Sequence, residues 1–250
     1  MKIKGNTILI TGGASGIGFA LAEALVKAGN KVLICGRRQA KLEEAKAKLP
    51  SLETRVCDIS KEKDRETLFK WAKDNFDDLN ILVNNAGIQR MIDLKTGPKI
   101  RFNGEDEIRT NLLAPIRLSE YFIPLLLKQK TAAIINVTSG LGFVPIATMP
   151  VYCATKAAVH LFSVSLRYQL KDTPVKVFEI IPPGVDTDLG KDQGLEGDQT
   201  YIGIPAAKLA KAVLPAIAQD QYEIPVGEAK DLVVGAKTDF EKSFNNLNQW

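Results

Sequence analysis

The sequence predicts an α/β protein: a doubly wound parallel sheet of about seven strands with helices on both faces. Short runs of β-branched and aliphatic residues recur along the chain, and longer stretches with helical periodicity separate most of them. Strands that are apolar throughout and alternate with amphipathic helices indicate a parallel sheet covered on both faces. Right-handed crossovers between the strands then place helices on each side of the sheet.

The order of these elements can be read along the chain. The runs predicted as strands are NTILIT (6–11), KVLIC (31–35), ETRVCD (53–58), NILVNN (80–85), AAIINVTS (132–139), VKVFEIIP (175–182) and QYEIPV (221–226). The clearest helical stretches are GIGFALAEALVKAG (16–29) and EDEIRTNLLAPIRLSEYFIPLLLKQ (105–129). Gly29–Asn30 should end the first helix and Pro50–Ser51 the second, because these residues favour a helix C-terminus.

We expect one domain over residues 1–250, since no linker, repeat or low-complexity segment divides the chain. The stretch at 186–204 is rich in Gly and Asp and lacks periodicity. An irregular insertion near the strand C-termini is typical of a substrate loop, and a disordered connection is the alternative.

Composition narrows the classes of function. The chain is 45% hydrophobic and 25% charged with a net charge of +4, and its basic residues are interleaved with acids, which disfavours nucleic-acid binding. The three cysteines lack CxxC spacing and there is a single histidine, so no zinc set is expected. No signal-peptide pattern is present, and the densest apolar stretch, YFIPLLL, is too short to span a membrane. We expect a cytoplasmic protein.

A glycine-rich turn follows the first predicted strand. In TILITGGASGIGFALAEAL, Gly12, Gly16 and Gly18 have TGxxxGxG spacing. Missing side chains let the backbone approach a pyrophosphate, and a helix N-terminus stabilises its charge. Tight strand-to-helix turns need glycine in any case, but the position of this pattern on the first strand of a βαβ unit favours dinucleotide binding.

The end of the second strand predicts which dinucleotide is preferred. A carboxylate at this point would bind the ribose 2′-hydroxyl of NAD, whereas a 2′-phosphate needs cations. The chain reads LICGRRQAKLEE, with glycine at position 36 followed by Arg37 and Arg38. Guanidinium groups are good phosphate ligands, so we expect NADP(H) to be favoured over NAD(H), with a solvated helix face as the alternative for the arginines.

One helical pair suggests acid–base chemistry. In PVYCATKAAV, Tyr152 precedes Lys156 by four residues, which places both on one helix face. Such a pair taken alone is more often ordinary packing, with the ammonium reaching water. A nearby ammonium nevertheless favours a phenolate, and a tyrosine whose pKa falls from near 10 can exchange protons at neutral pH.

Several spaced motifs together resemble the short-chain dehydrogenases/reductases. They are TGxxxGIG at 11–18, NNAG at 84–87, Asn111 in a long helix, Ser139 thirteen residues before Tyr152, the YxxxK pair and PPGVDT after the sixth strand. The stretches VTSGL, PVYCATKAAVH and PPGVDTDL are similar to those of the DltE-like bacterial branch of this family. The resemblance implies a Rossmann fold and an enzyme that interconverts a carbonyl compound and a secondary alcohol by hydride transfer.

The resemblance also implies four catalytic residues. Tyr152 is the acid/base, and Lys156 lowers the Tyr152 pKa and binds the nicotinamide-ribose hydroxyls. Ser139 holds the substrate oxygen, and Asn111 positions a water that connects Lys156 to solvent. From the residues alone, Ser139 could instead cap a turn, and Asn111 could satisfy backbone groups inside its helix.

The same resemblance implies a set of cofactor contacts. Besides the glycine turn, the arginine pair, Tyr152 and Lys156, the expected cofactor-binding residues are Ser15, Ile17, Asp58, Ile59, Asn84, Ala86, Gly87, Ile181, Pro182, Pro183, Gly184 and Thr187. Ser15 departs from the lysine or arginine that often marks NADP-binding relatives, so the preference would rest on Arg37 and Arg38. No metal is expected.

Other functions and features remain as expectations. A non-catalytic nucleotide-sensing protein on the same fold is the main alternative, while a sugar-nucleotide epimerase is disfavoured by the glycine spacing and the short C-terminal region. His160 is expected to be structural or to lie at an interface. Apolar residues at Gly142, Phe143 and Met149 hint at a hydrophobic carbonyl substrate. Relatives often form homodimers or homotetramers, and we expect the same here.

Overall fold

The computed structural model describes residues 1–99, 104–189 and 203–249. Within these residues, seven parallel strands form one sheet in the order β3-β2-β1-β4-β5-β6-β9. The strands of this sheet are β1 Thr7–Thr11, β2 Lys31–Gly36, β3 Glu53–Val56, β4 Leu79–Asn84, β5 Ala132–Val137, β6 Val175–Ile181 and β9 Glu223–Pro225. A separate parallel pair joins β7 Val185–Asp186 to β8 Ile204–Pro205. The predicted α/β class and seven strands are confirmed.

Helices cover both faces of the sheet. They are α1 Gly16–Lys27, α2 Gln39–Lys48, α3 Glu62–Asn75, α4 Gly104–Glu107, α5 Ala114–Leu126, α6 Pro150–Gln169, α7 Ala206–Ala218, α8 Ala229–Thr238 and α9 Phe240–Leu247. A π-helical segment over Ile108–Leu113 joins α4 to α5, and 3₁₀ segments cover Leu94–Lys99 and Gly140–Gly142. None of the helices in the described ranges is long and apolar enough to cross a membrane.

The alternation of side chains along β1 explains why the sheet has a hydrophobic core on each face. All five residues of β1 are buried, as expected for a central strand of a parallel sheet. Ile8 and Ile10 pack on the face covered by α1, α2 and α7, whereas Leu9 packs on the face covered by α3, α5 and α6. Successive side chains of a strand point to opposite faces, so one apolar run supplies both cores.

The sheet order locates the functional cleft. Strands β1, β2 and β3 succeed one another towards one edge, whereas β4, β5 and β6 extend from β1 towards the other. The winding direction therefore reverses between β1 and β4. In open α/β sheets, ligands bind beyond the carboxyl ends of the strands at such a reversal.

The long helix predicted at 105–129 is interrupted, contrary to the expectation of one regular helix. Its residues form α4, the π-helical segment and α5. Pro115 has no N–H to donate to the carbonyl of Asn111, four residues earlier, which suits a widened turn at this point. Helix ends predicted at Gly29–Asn30 and Pro50–Ser51 are confirmed, since α1 ends at Lys27 and α2 at Lys48.

The stretch 186–204 is described at its two ends. The N–H of Ile204 donates to the carbonyl of Gly184 at 3.0 Å, and β7 and β8 pair beside it. The two ends of the predicted substrate loop therefore meet at one point. Residues 190–202, where most of that prediction falls, lie outside the described residues.

Candidate active site

A cleft of about 310 Å³ lies at the carboxyl ends of the central strands. The predicted site residues that line it are Gly12, Ser15, Gly16, Ile17, Arg37, Arg38, Asp58, Ile59, Ala86, Gly87, Tyr152, Lys156 and Thr187. Both ends of the predicted site thus open into one cleft, with the glycine turn and the arginines towards one end and the Tyr–Lys pair towards the other.

The glycine turn is shaped by the absence of side chains. Gly12 and Gly16 have φ values of +65° and +54°, in the left-handed region that favours glycine. A Cβ atom on Gly12 would lie 2.9 Å from the Cα of Ala86, and one on Gly18 would collide with the carbonyl oxygen of Gly12. Gly18, in the first turn of α1, therefore packs directly against the backbone of Gly12 and does not line the cleft. The amide of Asn85 fixes the turn by donating to the Thr11 carbonyl at 2.9 Å.

The N-terminus of α1 fits a bound pyrophosphate. Ser15 precedes the helix but its side chain makes no capping hydrogen bond, and the first turn contains no acidic residue. The backbone N–H groups of the first turn lack partners within the helix, and the helix dipole favours negative charge there. With the glycine cradle beside it, this end of the cleft fits the pyrophosphate of a dinucleotide.

The end of β2 presents cations and no carboxylate. Arg37 and Arg38 are exposed and line the cleft, as does Lys41 in the first turn of α2, which the sequence analysis missed. Lys41 donates to Glu44 at 2.8 Å. A Cβ atom on Gly36 would meet a single neighbour, the Leu42 side chain at 3.9 Å. An added methyl group therefore fits at position 36 without a close contact.

Asp58 has a structural role that the sequence did not resolve. Its carboxylate accepts hydrogen bonds from the N–H and hydroxyl of Ser60, at 3.1 and 2.7 Å. Its own N–H donates to Asp64 at 2.9 Å, which ties the loop after β3 to α3. These hydrogen bonds hold the turn that contains Asp58, and Asp58 lines the cleft beside Ile59.

Tyr152 and Lys156 lie together at the other end of the cleft. Both side chains belong to buried residues of α6, 5% exposed each, and the Lys156 ammonium lies 5.6 Å from the centre of the Tyr152 ring. The ammonium donates to the Val137 carbonyl at the end of β5, at 2.9 Å. Ordinary surface packing, the alternative for this pair, is excluded because neither side chain reaches bulk water.

Burial dominates the electrostatics of this pair. Burial raises the pKa of Tyr152 to about 12, although the Ser139 hydroxyl acts in the opposite direction. Burial also lowers the pKa of Lys156 to about 8. Burial has the largest effect on both pKa values, because desolvation disfavours the charged form of each group. The lowering of the Tyr152 pKa by Lys156 stays a prediction.

Ser139 and Asn111 are held by backbone groups. The Ser139 hydroxyl accepts a hydrogen bond from the Leu141 N–H at 3.1 Å, so Ser139 caps the turn that follows it. The same hydroxyl also interacts with Tyr152. Asn111 is buried, and its side chain makes two hydrogen bonds to the backbone of Ile88. It accepts from the Ile88 N–H at 2.9 Å and donates to the Ile88 carbonyl at 2.7 Å. Its amide therefore fixes the loop after β4, a role that neither sequence reading of Asn111 included. Neither Ser139 nor Asn111 lines the cleft.

Asn111 is nevertheless close to the Tyr–Lys pair. A Cβ atom on Gly87 would lie 3.4 Å from the Asn111 side-chain oxygen and 3.5 Å from the Lys156 ammonium. Asn111 also donates to Thr155 of α6 at 3.2 Å. The π-helical segment, the loop after β4 and α6 thus meet at Gly87.

Asn84 lies away from the cleft, contrary to its predicted place there. Its amide donates to Asn136 of β5 at 2.9 Å, and the side chain is buried between sheet and helix. At the end of β4 the lining comes instead from Asn85, Ala86 and Gly87. The sequence pattern NNAG did not show which asparagine faces the ligand, because alternate residues of a strand face opposite layers.

The segment after β6 reaches the cleft only in part. Thr187 lies against the glycine turn, where a Cβ atom on Gly16 would come within 3.0 Å of its methyl group. Pro182 accepts from the Gly140 N–H at 3.0 Å and so supports the turn that follows Ser139. Four residues that were predicted to bind the cofactor do not line the cleft: Ile181, Pro182, Pro183 and Gly184. Asp188 and Leu189, which follow Thr187, do line it.

His160 belongs to a buried polar chain behind Ser139. Its Nδ1 atom lies 2.8 Å from a carboxylate oxygen of Glu179, which is fully buried, and Thr138 donates to the other oxygen at 2.7 Å. The hydrogen bond with Glu179 raises the pKa of His160. His160 does not line the cleft, and its ring packs on Phe143 with a centroid distance of 4.4 Å.

A parallel sheet with a glycine turn at its reversal point and a buried Tyr–Lys pair across the same cleft defines a dehydrogenase of the short-chain type. The chain belongs to the short chain dehydrogenase family, whose sequence model matches residues 6–196. It is an oxidoreductase of the dehydrogenase/reductase class, as the motifs predicted.

Bacterial relatives extend over nearly the whole chain. The protein is 46% identical over 248 residues to "Uncharacterized oxidoreductase DltE" of Bacillus subtilis (strain 168), covering 99% of this chain and 98% of that protein. It is 32% identical over 228 residues to an uncharacterized oxidoreductase of Staphylococcus epidermidis, covering 88% and 94% of the two chains. The expected similarity to the DltE-like branch is confirmed.

Solved structures share the fold. A short chain dehydrogenase from Burkholderia cenocepacia in complex with NADP has 26% identity and a TM-score of 0.84, and 99% of each chain is covered. A short-chain dehydrogenase from Sphingobium yanoikuyae in complex with NADPH has 26% identity and a TM-score of 0.81, with 95% coverage of each chain. A Burkholderia phymatum relative in complex with NAD, 21% identical with a TM-score of 0.85 over 97% and 95% of the two chains, shows the fold alone.

Proposed function

We propose that the protein is an NADP(H)-dependent oxidoreductase that interconverts a carbonyl compound and a secondary alcohol, with Tyr152 as the acid/base. The observation that carries the proposal is the Tyr152–Lys156 pair, buried in the cleft that also contains the glycine turn and the arginines. A nicotinamide dinucleotide, when bound, supplies or accepts the hydride. The glycine cradle and the α1 N-terminus fit its pyrophosphate.

Tyr152 moves the proton in this proposal. With a pKa raised to about 12, its phenol remains protonated at neutral pH and is ready to donate a proton to a substrate oxygen that gains negative charge. The developing alkoxide is more basic than a phenolate, so the transfer is favourable. This protonation state suits carbonyl reduction, which we propose as the direction in the cell.

The neighbouring residues orient the reacting groups. The Ser139 hydroxyl, which interacts with Tyr152, donates to the substrate oxygen and stabilises its charge. Lys156, anchored on the Val137 carbonyl, binds the nicotinamide-ribose hydroxyls and stabilises the phenolate left after proton transfer. Asn111 fixes Ile88 and positions a water between Lys156 and solvent.

The preference for NADP(H) is supported by charge. Arg37 and Arg38 supply guanidinium groups beside the ribose end of the cleft, and position 36 offers no carboxylate. Guanidinium groups bind phosphate through charge-assisted hydrogen bonds, whereas a carboxylate would repel a 2′-phosphate.

The proposal includes a small-molecule substrate, a cytoplasmic location and a homodimer or homotetramer. Support for the location comes from Cys35, Cys57 and Cys153, which are all free and buried. Support for self-association comes from α6, where Leu161 and Tyr168 are 65% and 72% exposed.

The test is a panel of ketones, aldehydes and quinones, followed by loss of reduced-nicotinamide absorbance with NADPH and NADH in parallel. We expect turnover that favours NADPH. Measurable nucleotide binding without turnover on any compound would favour the non-catalytic nucleotide sensor instead. Turnover that favours NADH would contradict the role of Arg37 and Arg38.

A further inference from the structure

The segment that joins two of the proposed catalytic residues, 140–149, is held by a side chain from the C-terminal end of the chain. Asn248 directly follows α9. Its side-chain oxygen accepts a hydrogen bond from the Ala147 N–H at 2.7 Å, and its amide donates to the Pro145 carbonyl at 3.1 Å. The same amide donates to the Phe244 carbonyl of α9 at 2.8 Å, so the side chain is fixed to its own helix as well.

Helix α8 supports the beginning of segment 140–149. A Cβ atom on Gly140 would lie 2.8 Å from the Leu232 side chain and 3.3 Å from the Cα of Ala229, so the backbone approaches α8 closely directly after Ser139. Phe143 packs against the apolar cluster that includes Ala229. Helices α8 and α9 also pack against each other. The two C-terminal helices therefore hold the segment at its beginning and near its end.

Segment 140–149 also packs against the helix that contains the Tyr–Lys pair. A Cβ atom on Gly142 would lie 2.9 Å from the backbone of Lys156 and 3.0 Å from that of Ala157. The Thr148 carbonyl accepts from the Ile92 N–H at 2.9 Å, which joins the segment to the loop after β4. Because close-packed interiors transmit strain, a displacement of this segment should also displace the side chains at its two ends.

We propose that Asn248 is a positioning residue of the active site, acting through its hydrogen bonds to segment 140–149. These bonds fix where the segment lies, and hence how Ser139 and Tyr152 face the substrate oxygen. The proposal rests on the proposed roles of Ser139 and Tyr152. Reacting groups must be held close to their productive geometry, so a small displacement lowers the rate steeply.

The test compares Asn248→Leu with Asn246→Leu. Leucine has nearly the shape of asparagine but neither donates nor accepts a hydrogen bond through its side chain. Asn246 lies on α9 and is exposed, so its variant is a matched control for the same substitution. We expect Asn248→Leu to lose roughly ten- to a hundredfold in kcat/KM for carbonyl reduction, with a nearly unchanged Kd for NADPH. Asn246→Leu should retain both values.

A purely structural role for Asn248 predicts a different result. Loss of stability alone would lower the concentration of folded protein, and kcat/KM per folded molecule would stay the same. The folded concentration is therefore matched by counting NADPH-binding sites before the rates are compared. An Asn248→Leu protein with full kcat/KM per binding site would overturn the proposal and leave Asn248 as a residue that only ends α9.

Amide hydrogen exchange, followed residue by residue by NMR, tests the contact without turnover. Ala147 is exposed, yet its N–H is bonded to Asn248, so in the unmodified protein it should exchange about tenfold or more slowly than a free amide. Asn248→Leu should remove that protection and speed exchange at Gly142 and Val144, whose N–H groups close the turn after Ser139. An Ala147 N–H that exchanges freely in the unmodified protein would overturn the proposal, even if Asn248→Leu fails to fold.

The failure of this proposal and the failure of the proposed function give different results. If Tyr152→Phe remains active while Asn248→Leu frees the Ala147 N–H and loses kcat/KM, Asn248 still positions the site and the acid/base role of Tyr152 is wrong. If Tyr152→Phe is inactive while Asn248→Leu keeps its full kcat/KM, the role of Tyr152 stands and the inference on Asn248 is overturned.

Discussion

The two ends of the cleft are built in different ways. The nucleotide end depends on missing side chains and exposed cations: Gly12 and Gly16 shape the turn, and Arg37 and Arg38 lie at the surface. The proton-transfer end depends on buried ionisable side chains, among them Tyr152, whose pKa burial shifts to about 12. The nucleotide end therefore depends on the shape of the backbone. The proton-transfer end depends on how burial shifts the pKa values of its side chains.

This difference explains how each end should respond to change. A glycine turn tolerates no added atoms but is indifferent to pH, because its contacts are backbone contacts. A conservative substitution in the buried Tyr–Lys pair should preserve the packing but abolish catalysis, because the proposed roles depend on the proton of Tyr152 and the charge of Lys156.

Lys156→Met should have the largest effect, at the proton-transfer end. Methionine keeps much of the apolar stem but removes the ammonium that donates to the Val137 carbonyl. We expect kcat to fall by about 10²- to 10⁴-fold, the range of acid–base contributions, while the far-UV circular dichroism remains native. Lys41→Met, which removes a cleft lysine from the other end, is the control and should retain most of kcat; equal losses in both would contradict the division between the ends.

Gly12→Ala should abolish tight nucleotide binding at the other end. The new methyl group would lie 2.9 Å from the Ala86 backbone at a residue whose φ is +65°. We expect the free energy of unfolding to fall by about 1–3 kcal/mol and the Kd for NADPH to rise at least tenfold. Gly36→Ala adds the same methyl group where the nearest atom is 3.9 Å away, and it should leave both quantities nearly unchanged.

Replacement of Arg37 and Arg38 by alanine should change the choice of nucleotide without altering the chemistry. We expect the KM for NADPH to rise about tenfold, equivalent to about 1.4 kcal/mol of lost binding, while the KM for NADH and both kcat values stay the same. An equal loss for the two nucleotides would show that the arginines do not contact a 2′-phosphate.

His160→Gln should have the smallest effect, a change in the pH dependence of stability. The Glu179 hydrogen bond raises the pKa of His160, so the charged histidine stabilises the fold below its unfolded pKa of about 6.5. That contribution disappears as the pH rises through the raised folded value. The variant should have a Tm lower by about 2–4 °C at pH 5.5, as about 1 kcal/mol implies for this size. The difference should close at alkaline pH, and a constant difference would exclude the ion pair.

The fold and the nucleotide end could be predicted from sequence because their rules are local. Apolar runs such as NTILIT became strands, and the TGxxxGxG spacing directly encodes a turn that only glycine can form. The interruption at Ile108–Leu113 was missed, although Pro115 removes a helical hydrogen bond at this point and is a local signal for it.

The proton-transfer end was only half predictable. Spacing identified Tyr152 and Lys156, but the sign of the Tyr152 pKa shift depends on burial by residues distant in sequence, which spacing does not reveal. Asn84 and Asn85 are adjacent in NNAG, and which of them faces the cleft follows from strand register.

The acid/base role of Tyr152 is tested most directly by measuring turnover and NADPH affinity in Tyr152→Phe beside Tyr168→Phe. Both residues are on α6, but Tyr152 is 5% exposed in the cleft and Tyr168 is 72% exposed. We expect Tyr152→Phe to lose at least a hundredfold in kcat with a nearly unchanged Kd for NADPH, while Tyr168→Phe retains both. Full turnover in Tyr152→Phe would contradict the assignment of Tyr152 as the acid/base.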